Sequence, residues 1–334
     1  MKLNEVEYKS LSTQRGALMG LAMLFIVLFH VWVPRQHWGF GLHRMGNIGV
    51  DMFFFLSGIG LWYSWTKNPS WRQFQWKRYV RIYPTWLVVA AVFYTMDFFG
   101  GQRYSTSLTD LFGDVLINWD FWLHDEGTFW YIPATMMLYL FAPAYMEAVR
   151  RNPMCRWIPV LMIVWCCAVQ WVIPIHKAVG HIEIFWSRIP IFLIGLNFGD
   201  LVKRKETMPQ STIILLLSSL ILPLALCLYL EQVLHGKFPL FVERMIYIPM
   251  TVSVCMLAAR WLEKSPAWLT RALVFIGGLS LEIYLIHYQF VMIKVAKWQL
   301  GYWLTALLTL LITLPIAWLL QKLISKLTSK LIKS

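Results

Sequence analysis

His30 closes an apolar run, Gly16 to Val33, and Asp51 opens the next one after a short connection. An imidazole beside a carboxylate is a general-base pair: the carboxylate holds the ring tautomer and raises its basicity, and the ring takes a proton from an attacking hydroxyl. An ionisable group in hydrocarbon costs roughly 2.5–3.5 kcal/mol even on lenient insertion scales, so it ordinarily faces a protein interior, a partner or a water path. A single buried histidine is more often a packing residue than a catalyst. Company changes that balance. SLEIYLIHY carries Glu282 and His287 into a late apolar segment, and FWSRIPIFLIG carries Arg188 into a middle one. Five ionisable residues inside apolar segments exceed what packing needs. At the opposite end of the first run, Arg15 lies about 22 Å from His30 at 1.5 Å per helical residue. Arg78 and Arg81, in KRYVRIYP, share a helical face at i, i+3. Arginines so placed can clamp phosphates bidentately, although topology alone also calls for basic residues there.

These residues must be held by membrane helices. With 334 residues, 58% hydrophobic and 14% charged, the chain lacks the polar surface of a soluble domain. About 20 apolar residues cross a bilayer, and the sequence predicts an all-α, polytopic transmembrane bundle of about ten spans, roughly 16–34, 46–66, 80–99, 128–149, 157–175, 185–202, 211–231, 243–262, 274–294 and 303–322. Stretches such as Ile213–Leu230 are apolar on every face, which excludes the alternating pattern of a barrel. The first run is too long for a cleavable signal and no small-x-small site follows it. A single membrane-embedded domain over 1–334 is expected, with no appended soluble domain and no internal repeat.

Most of the 30 Lys and Arg residues fall at one side, from Lys2, Lys9 and Arg15 through Arg150, Arg151, Lys203, Arg204 and Lys264 to the tail. The positive-inside rule then places both termini in the cytoplasm. Net charge +13 forms no stripe suited to nucleic acid. The tail lysines Lys322, Lys326, Lys330 and Lys333 fit either an amphipathic helix on anionic lipid or a stop signal. Cys155, Cys166, Cys167, Cys227 and Cys255 show neither a disulfide framework nor metal-ligand spacing, so no metal is expected. LTDLFGDVLINWDFWL, within an outer connection over 100–127 that also holds Asp125 and Glu126, reads as an amphipathic segment acting as a lid or packing element.

In chain order, these residues resemble the acyltransferase-3 family of bacterial membrane O-acyltransferases. MGLAMLFIVLFH is similar to the family's first helix, ending in His30, and GNIGVDMFFFLSGIGL to its G-V-D-x-F-F-x-x-S-G signature, with Asp51, Ser57 and Gly58. KRYVRIYP resembles its R-x-x-R-I-x-P stretch, and FIGGLSLEIYLIHY its late helix ending in Y-L-x-H. FWYIPATMMLYLFAP, with Trp130 and Tyr131, and RIPIFLIGLNFG, with Arg188, match more weakly. One position departs: Met19 stands where the family carries an arginine eleven residues before the histidine, and Arg15 lies one turn earlier on nearly the same face.

The resemblance implies transfer of an acyl group, acetyl first, from a cytoplasmic acyl-coenzyme A (acetyl-CoA) to a hydroxyl of a cell-surface carbohydrate or lipid-linked glycan precursor, through a narrow channel in the bacterial inner (cytoplasmic) membrane. On that reading His30 is the base, oriented by Asp51, and Glu282 positions the acceptor or shares its proton. Arg15, Arg78 and Arg81 hold donor phosphates, and Arg188, His287, Trp130 and Tyr131 contribute to substrate contacts. Ser57 and Gly58 serve helix packing. Membrane lipid is an expected partner and nucleic acid is not; the sequence leaves the oligomeric state open. Trp38, Trp119 and Trp122 are candidates to stack on sugar, though tryptophan is common at membrane interfaces. A secondary transporter or exporter of a glycan-related solute is the competing class, with a nonenzymatic sensor third. Repeated halves and broken helices would mark a transporter, and the sequence suggests neither.

Overall fold

The computed structural model describes residues 5–124 and 127–332. Lys2, Asp125, Glu126 and Lys333 lie outside the described residues. A short strand β1 (Glu5–Glu7) leads through α1 (Lys9–Thr13) into α2 (Arg15–His30), α3 (Phe40–Arg44) and α4 (Ile48–Lys67). Next come α5 (Trp71–Gly100), α6 (Leu108–Ile117), α7 (Trp119–Leu123) and α8 (Tyr131–Arg151). The middle of the chain forms α9 (Ile158–Trp171), α10 (Ile173–Val179), α11 (Glu183–Trp186), α12 (Ile189–Lys203) and strand β2 (Thr207–Pro209). It ends with α13 (Thr212–Gln232), α14 (Leu240–Glu263), α15 (Ala267–Gly278), α16 (Ser280–Ile286), α17 (Ile293–Ala296) and α18 (Tyr302–Ile332).

Local sequence sets many of these boundaries. Ser70 caps α5 by accepting from the Gln73 amide, and Ser107 with Asp110 forms a reciprocal capping box at α6. Proline opens α9 and α12, where its missing N–H costs nothing. Inside α8, Pro143 cannot bond the Tyr139 carbonyl, and the Gln75 side-chain amide of α5 donates to it at 3.0 Å instead.

Seven helices among the described residues are long and apolar enough to cross a membrane, or nine if each of two bent pairs counts as one span. The expectation of ten is met only in part: the tenth segment is α2, whose 16 residues rise about 24 Å, short of a hydrocarbon core of roughly 30 Å. The expectation of unbroken helices is overturned. The path bends by 42° between Ile173–Trp186 and Ile189–Lys203, and by 61° between Ala267–Gly278 and Ser280–Ala296. Arg188 stands at the first break, and the second precedes Glu282 and His287. Backbone freed there is satisfied from a neighbouring helix, as Gln321 of α18 donates to the Gly278 carbonyl at 2.7 Å. Helix α18 carries Lys322, Lys326 and Lys330.

Among the described residues the strands are confined to the antiparallel pairing of β1 with β2, Val6 opposite Met208. It joins the N-terminal strand to the connection after α12. At the same end Ser10 donates to Glu263 at 2.6 Å, and Asp200 accepts from Arg156 and Arg204. At the other end Glu231 accepts from Arg35 and Arg44 at 3.4 and 3.2 Å.

Close helix contacts fix which way each helix faces. A Cβ on Gly49 of α4 would stand 2.4 Å from the Ala22 carbonyl of α2, and one on Gly58 would stand 2.7 Å from the Phe192 carbonyl of α12. Small residues at such crossings let backbones approach, the usual means of helix association in lipid. Helix α4 is thereby wedged between α2 on one face and α12 on the other.

Candidate functional site

Helix α2 stops at His30 because Val31 turns extended, and its last carbonyls find side-chain partners as a helix end requires. Tyr302 donates to the Leu28 carbonyl at 3.1 Å, His43 Nε2 donates to that of Val31 at 2.8 Å, and His30 Nδ1 lies 2.8 Å from the Ile26 carbonyl. A carbonyl oxygen only accepts, so His30 Nδ1 carries the proton. Its Nε2 lone pair is left without a hydrogen-bonding partner among the described residues.

The neighbour of His30 is His287. Its Nε2 lies 3.2 Å from His30 Nδ1, with the rings 5.0 Å apart and 63° to one another. Tyr288 lies against the other side of His30 at 5.1 Å between centroids. His287 opens a π-helical turn, His287–Met292, between α16 and α17; such widened turns recur at functional sites.

The expected pairing of His30 with Asp51 is therefore corrected. Asp51 is fully buried and accepts from Arg188, itself fully buried at the start of α12, while Arg188 also reaches Asn47 at 3.4 Å. Depth along the helix was right and azimuth was not. Asp51 follows Gly49 by two residues, about 200° around a helix at 3.6 residues per turn. Gly49 faces α2, so Asp51 points away from it toward α12. A second buried pair, Arg244 with Glu183, stands nearby, and Trp130 stacks beside Arg188 at 6.0 Å. With no exposed surface, Arg188 has no face open to a substrate.

Glu282 is also displaced from its expected role. It borders a cavity of about 680 Å³ with Lys77, Arg81, Ser280 and Gln321, and Gln321 Nε2 approaches it at 3.4 Å. This is the arginine end of the bundle, away from His30.

Arg15, Arg78 and Arg81 do come together. All three line one narrow cavity of about 100 Å³. Arg78 donates to Ser64 at 2.8 Å and lies 5.3 Å from the Phe74 ring centre. The cavity runs past Met19, Ser57 and Tyr131 to Ile26 and Tyr284. Ile26 is one turn before His30, and Tyr284 is three residues before His287. Arg15 and Met19, one turn apart on α2, border this same space.

Sequence reasoning missed two lining residues and one spacer. Tyr139 and Tyr284 wall the cavity, and Tyr284 Oη accepts from the Tyr131 amide at 3.3 Å. A Cβ on Gly60 would stand 2.2 Å from an Arg15 guanidinium nitrogen, so the glycine makes room for that side chain. Tyr284 was findable from its i−3 relation to His287; nothing in the sequence singles out Gly60.

A larger cavity, about 1590 Å³, is an apolar groove between α5 and α8 under the Leu116–Leu123 cap. It touches the narrow one through Arg78, Ile82, Ile132 and Tyr139 and reaches neither His30 nor His287. The cap is the amphipathic segment expected from sequence. It folds as α6 and α7 around Asp114, whose carboxylate accepts from Ser105 Oγ at 2.9 Å and from the Asp120 amide at 3.3 Å. Burial pushes the Asp114 carboxyl up to about 7.

A family profile described as an acyltransferase domain matches residues 17–322. Comparison with curated proteins and with solved structures finds no match.

Proposed function

The chain belongs to the acyltransferase-3 family and is a multi-pass membrane acyltransferase. We propose that it moves an acyl group, acetyl first, from a coenzyme A thioester to a hydroxyl of a cell-surface carbohydrate or lipid-linked glycan, with His30 as general base. The observation that carries this reading is the narrow cavity leading from three arginines to the foot of His30. Arg15 to Ile26 is about 16 Å along α2 at 1.5 Å per residue, a length suited to an extended pantetheine arm. Arg15, Arg78 and Arg81 would hold the donor's phosphates through charge-assisted hydrogen bonds, leaving the thioester near His30.

The chemistry needs one proton relay. The acceptor hydroxyl attacks the thioester carbonyl as its proton passes to His30 Nε2, the only ring nitrogen with a free lone pair. Collapse breaks the carbon–sulfur bond, and the same nitrogen returns the proton to the departing thiolate. An alcohol and a thioester become an ester and a thiol, with the imidazole regenerated.

The basic end would face the cytoplasm of the bacterial inner membrane, which brings the donor to the arginines and leaves the His30 end to an outer acceptor. The two bent helices would also suit a transporter, so the deciding experiment separates the classes directly. Membranes containing the protein, given acetyl-coenzyme A with a labelled acetyl group, should place label in glycan. Uptake of an unmodified sugar with no label transferred would sink the enzyme reading.

A further inference from the structure

We propose that His287 is the positioning residue of His30 and takes a share of its charge during transfer. This rests on the reading of His30 as the base. His287 is 1% exposed, whereas His30 is partly open; His287 therefore acts through His30 and not on a substrate.

Its two nitrogens have different partners. Nδ1 lies 2.9 Å from the Ile283 carbonyl and 3.0 Å from that of Tyr284. Both oxygens only accept, so Nδ1 bears the proton and the neutral ring presents a bare Nε2. That Nε2 faces the protonated Nδ1 of His30 at 3.2 Å. Donor meets acceptor with no other tautomer compatible, and the whole arrangement is set by three carbonyl oxygens. The π-turn starting at His287 belongs to the same device, because it follows directly on the carbonyls that anchor the ring.

The Ile26 carbonyl alone would select the tautomer of His30. It sits on the same helix as His30, and it is not basic. His287 adds an acceptor from a different segment of the chain, which fixes the ring plane of His30 across the contact between α2 and the π-turn. It also adds a basic nitrogen. When His30 Nε2 gains the hydroxyl proton, the resulting imidazolium donates its Nδ1–H to His287 Nε2, and the positive charge spreads over two rings. Return of the Nε2 proton to the thiolate restores both neutral rings.

The test compares His287→Leu, which keeps volume and removes the acceptor, with His287→Gln, whose carbonyl oxygen can accept from His30 Nδ1–H. His287→Leu should lower kcat by about 10–100-fold, the range for hydrogen-bonding partners that orient a metal-bound histidine, with the donor KM unchanged. His287→Gln should recover most of that loss. Wild-type activity in His287→Leu, or equal loss in both variants, would assign His287 to packing and overturn the proposal. If neither variant inserts, the wild type still decides: in ¹⁵N-histidine spectra His30 Nδ1 should be protonated and coupled across the hydrogen bond to His287 Nε2, and an uncoupled pair refutes it. The base assignment fails separately, if His30→Ala keeps full activity.

Discussion

Asp51 with Arg188 and His30 with His287 are two pairs of ionisable residues inside this bundle, and they solve the same problem in opposite ways. Asp51 and Arg188 form an ion pair with no exposed surface, held by a direct hydrogen bond and by Asn47. His30 and His287 are neutral partners joined by one hydrogen bond, and His30, one turn beyond the Ile26 that lines the narrow cavity, keeps its Nε2 lone pair uncommitted. Asp51 Oδ1 and Arg188 Nε lack a partner, but both residues are fully enclosed and out of a substrate's reach. Chemistry needs a group that a substrate can reach, so of the two pairs only the one with the partly open His30 is equipped to take a proton from it. Burial of an ionisable residue in a membrane helix thus marks importance, and access to its free polar atoms separates structure from catalysis.

Breaking each pair should have a different signature. The largest effect is expected from His30→Ala, which should lower acyl transfer by about 10²–10⁴-fold, the usual contribution of a positioned general base, while the protein still inserts and elutes as a folded particle in detergent. Asp51→Ala should instead leave Arg188 as an unpaired buried charge and destabilise the fold by about 3–5 kcal/mol, read as loss of folded yield and a lower melting temperature. Adding Arg188→Leu to it should restore much of that loss, since replacing both partners removes the stranded charge. If Asp51→Ala folds normally and loses only activity, the contrast between the pairs collapses.

The next effect down lies at the arginine end. Arg15→Ala or Arg78→Ala should weaken coenzyme A binding by about 10–100-fold, as expected for removing a charged hydrogen bond worth roughly 1.5–3 kcal/mol, with a smaller change in kcat. Calorimetry showing unchanged binding would return these residues to a topological role. Gly60→Ala should mimic Arg15→Ala in milder form by pushing the guanidinium aside.

The smallest effect concerns the α6–α7 cap, where the buried Asp114 sits outside the spans. Burial raises the Asp114 carboxyl to about 7 in the folded protein, against about 3.9 in an unfolded chain. The folded cap therefore binds the proton more tightly, and its stability should fall as pH rises from about 4 to 7 and level off above. The protection of residues 101–124 against hydrogen exchange, taken relative to the intrinsic rate at each pH, should be lower at pH 8 than at pH 5. Asp114→Asn should flatten that difference; an unchanged pH profile in the variant would show that another group governs the cap.

Much was legible before any coordinates. Apolar length alone places a helix at each expected segment, because a bilayer offers no water to satisfy an open backbone. Motif spacing picked out His30, the basic stretch and the late helix that carries His287. The amphipathic pattern of 108–123 was sufficient to foresee short helices there, since capping and apolar periodicity are local properties. Even the orientation of Asp51 was latent in its distance from Gly49, once it is known that the glycine faces α2.

The partners were not legible. Sequence fixes how deep a residue sits along its own helix, because rise per residue is constant. Which neighbour it meets depends on rotation and crossing angle, and these are set by contacts such as Gly49 on Ala22 and Gly58 on Phe192 between segments far apart in the chain. The same holds for the two bends and for the strand pair, whose energies lie in neighbouring helices and connections. Composition and periodicity determined a membrane bundle with ionisable residues inside it; only the packing of α2 against α16, and of α4 against α12, decided that one pair is locked in mutual charge and the other keeps a free lone pair.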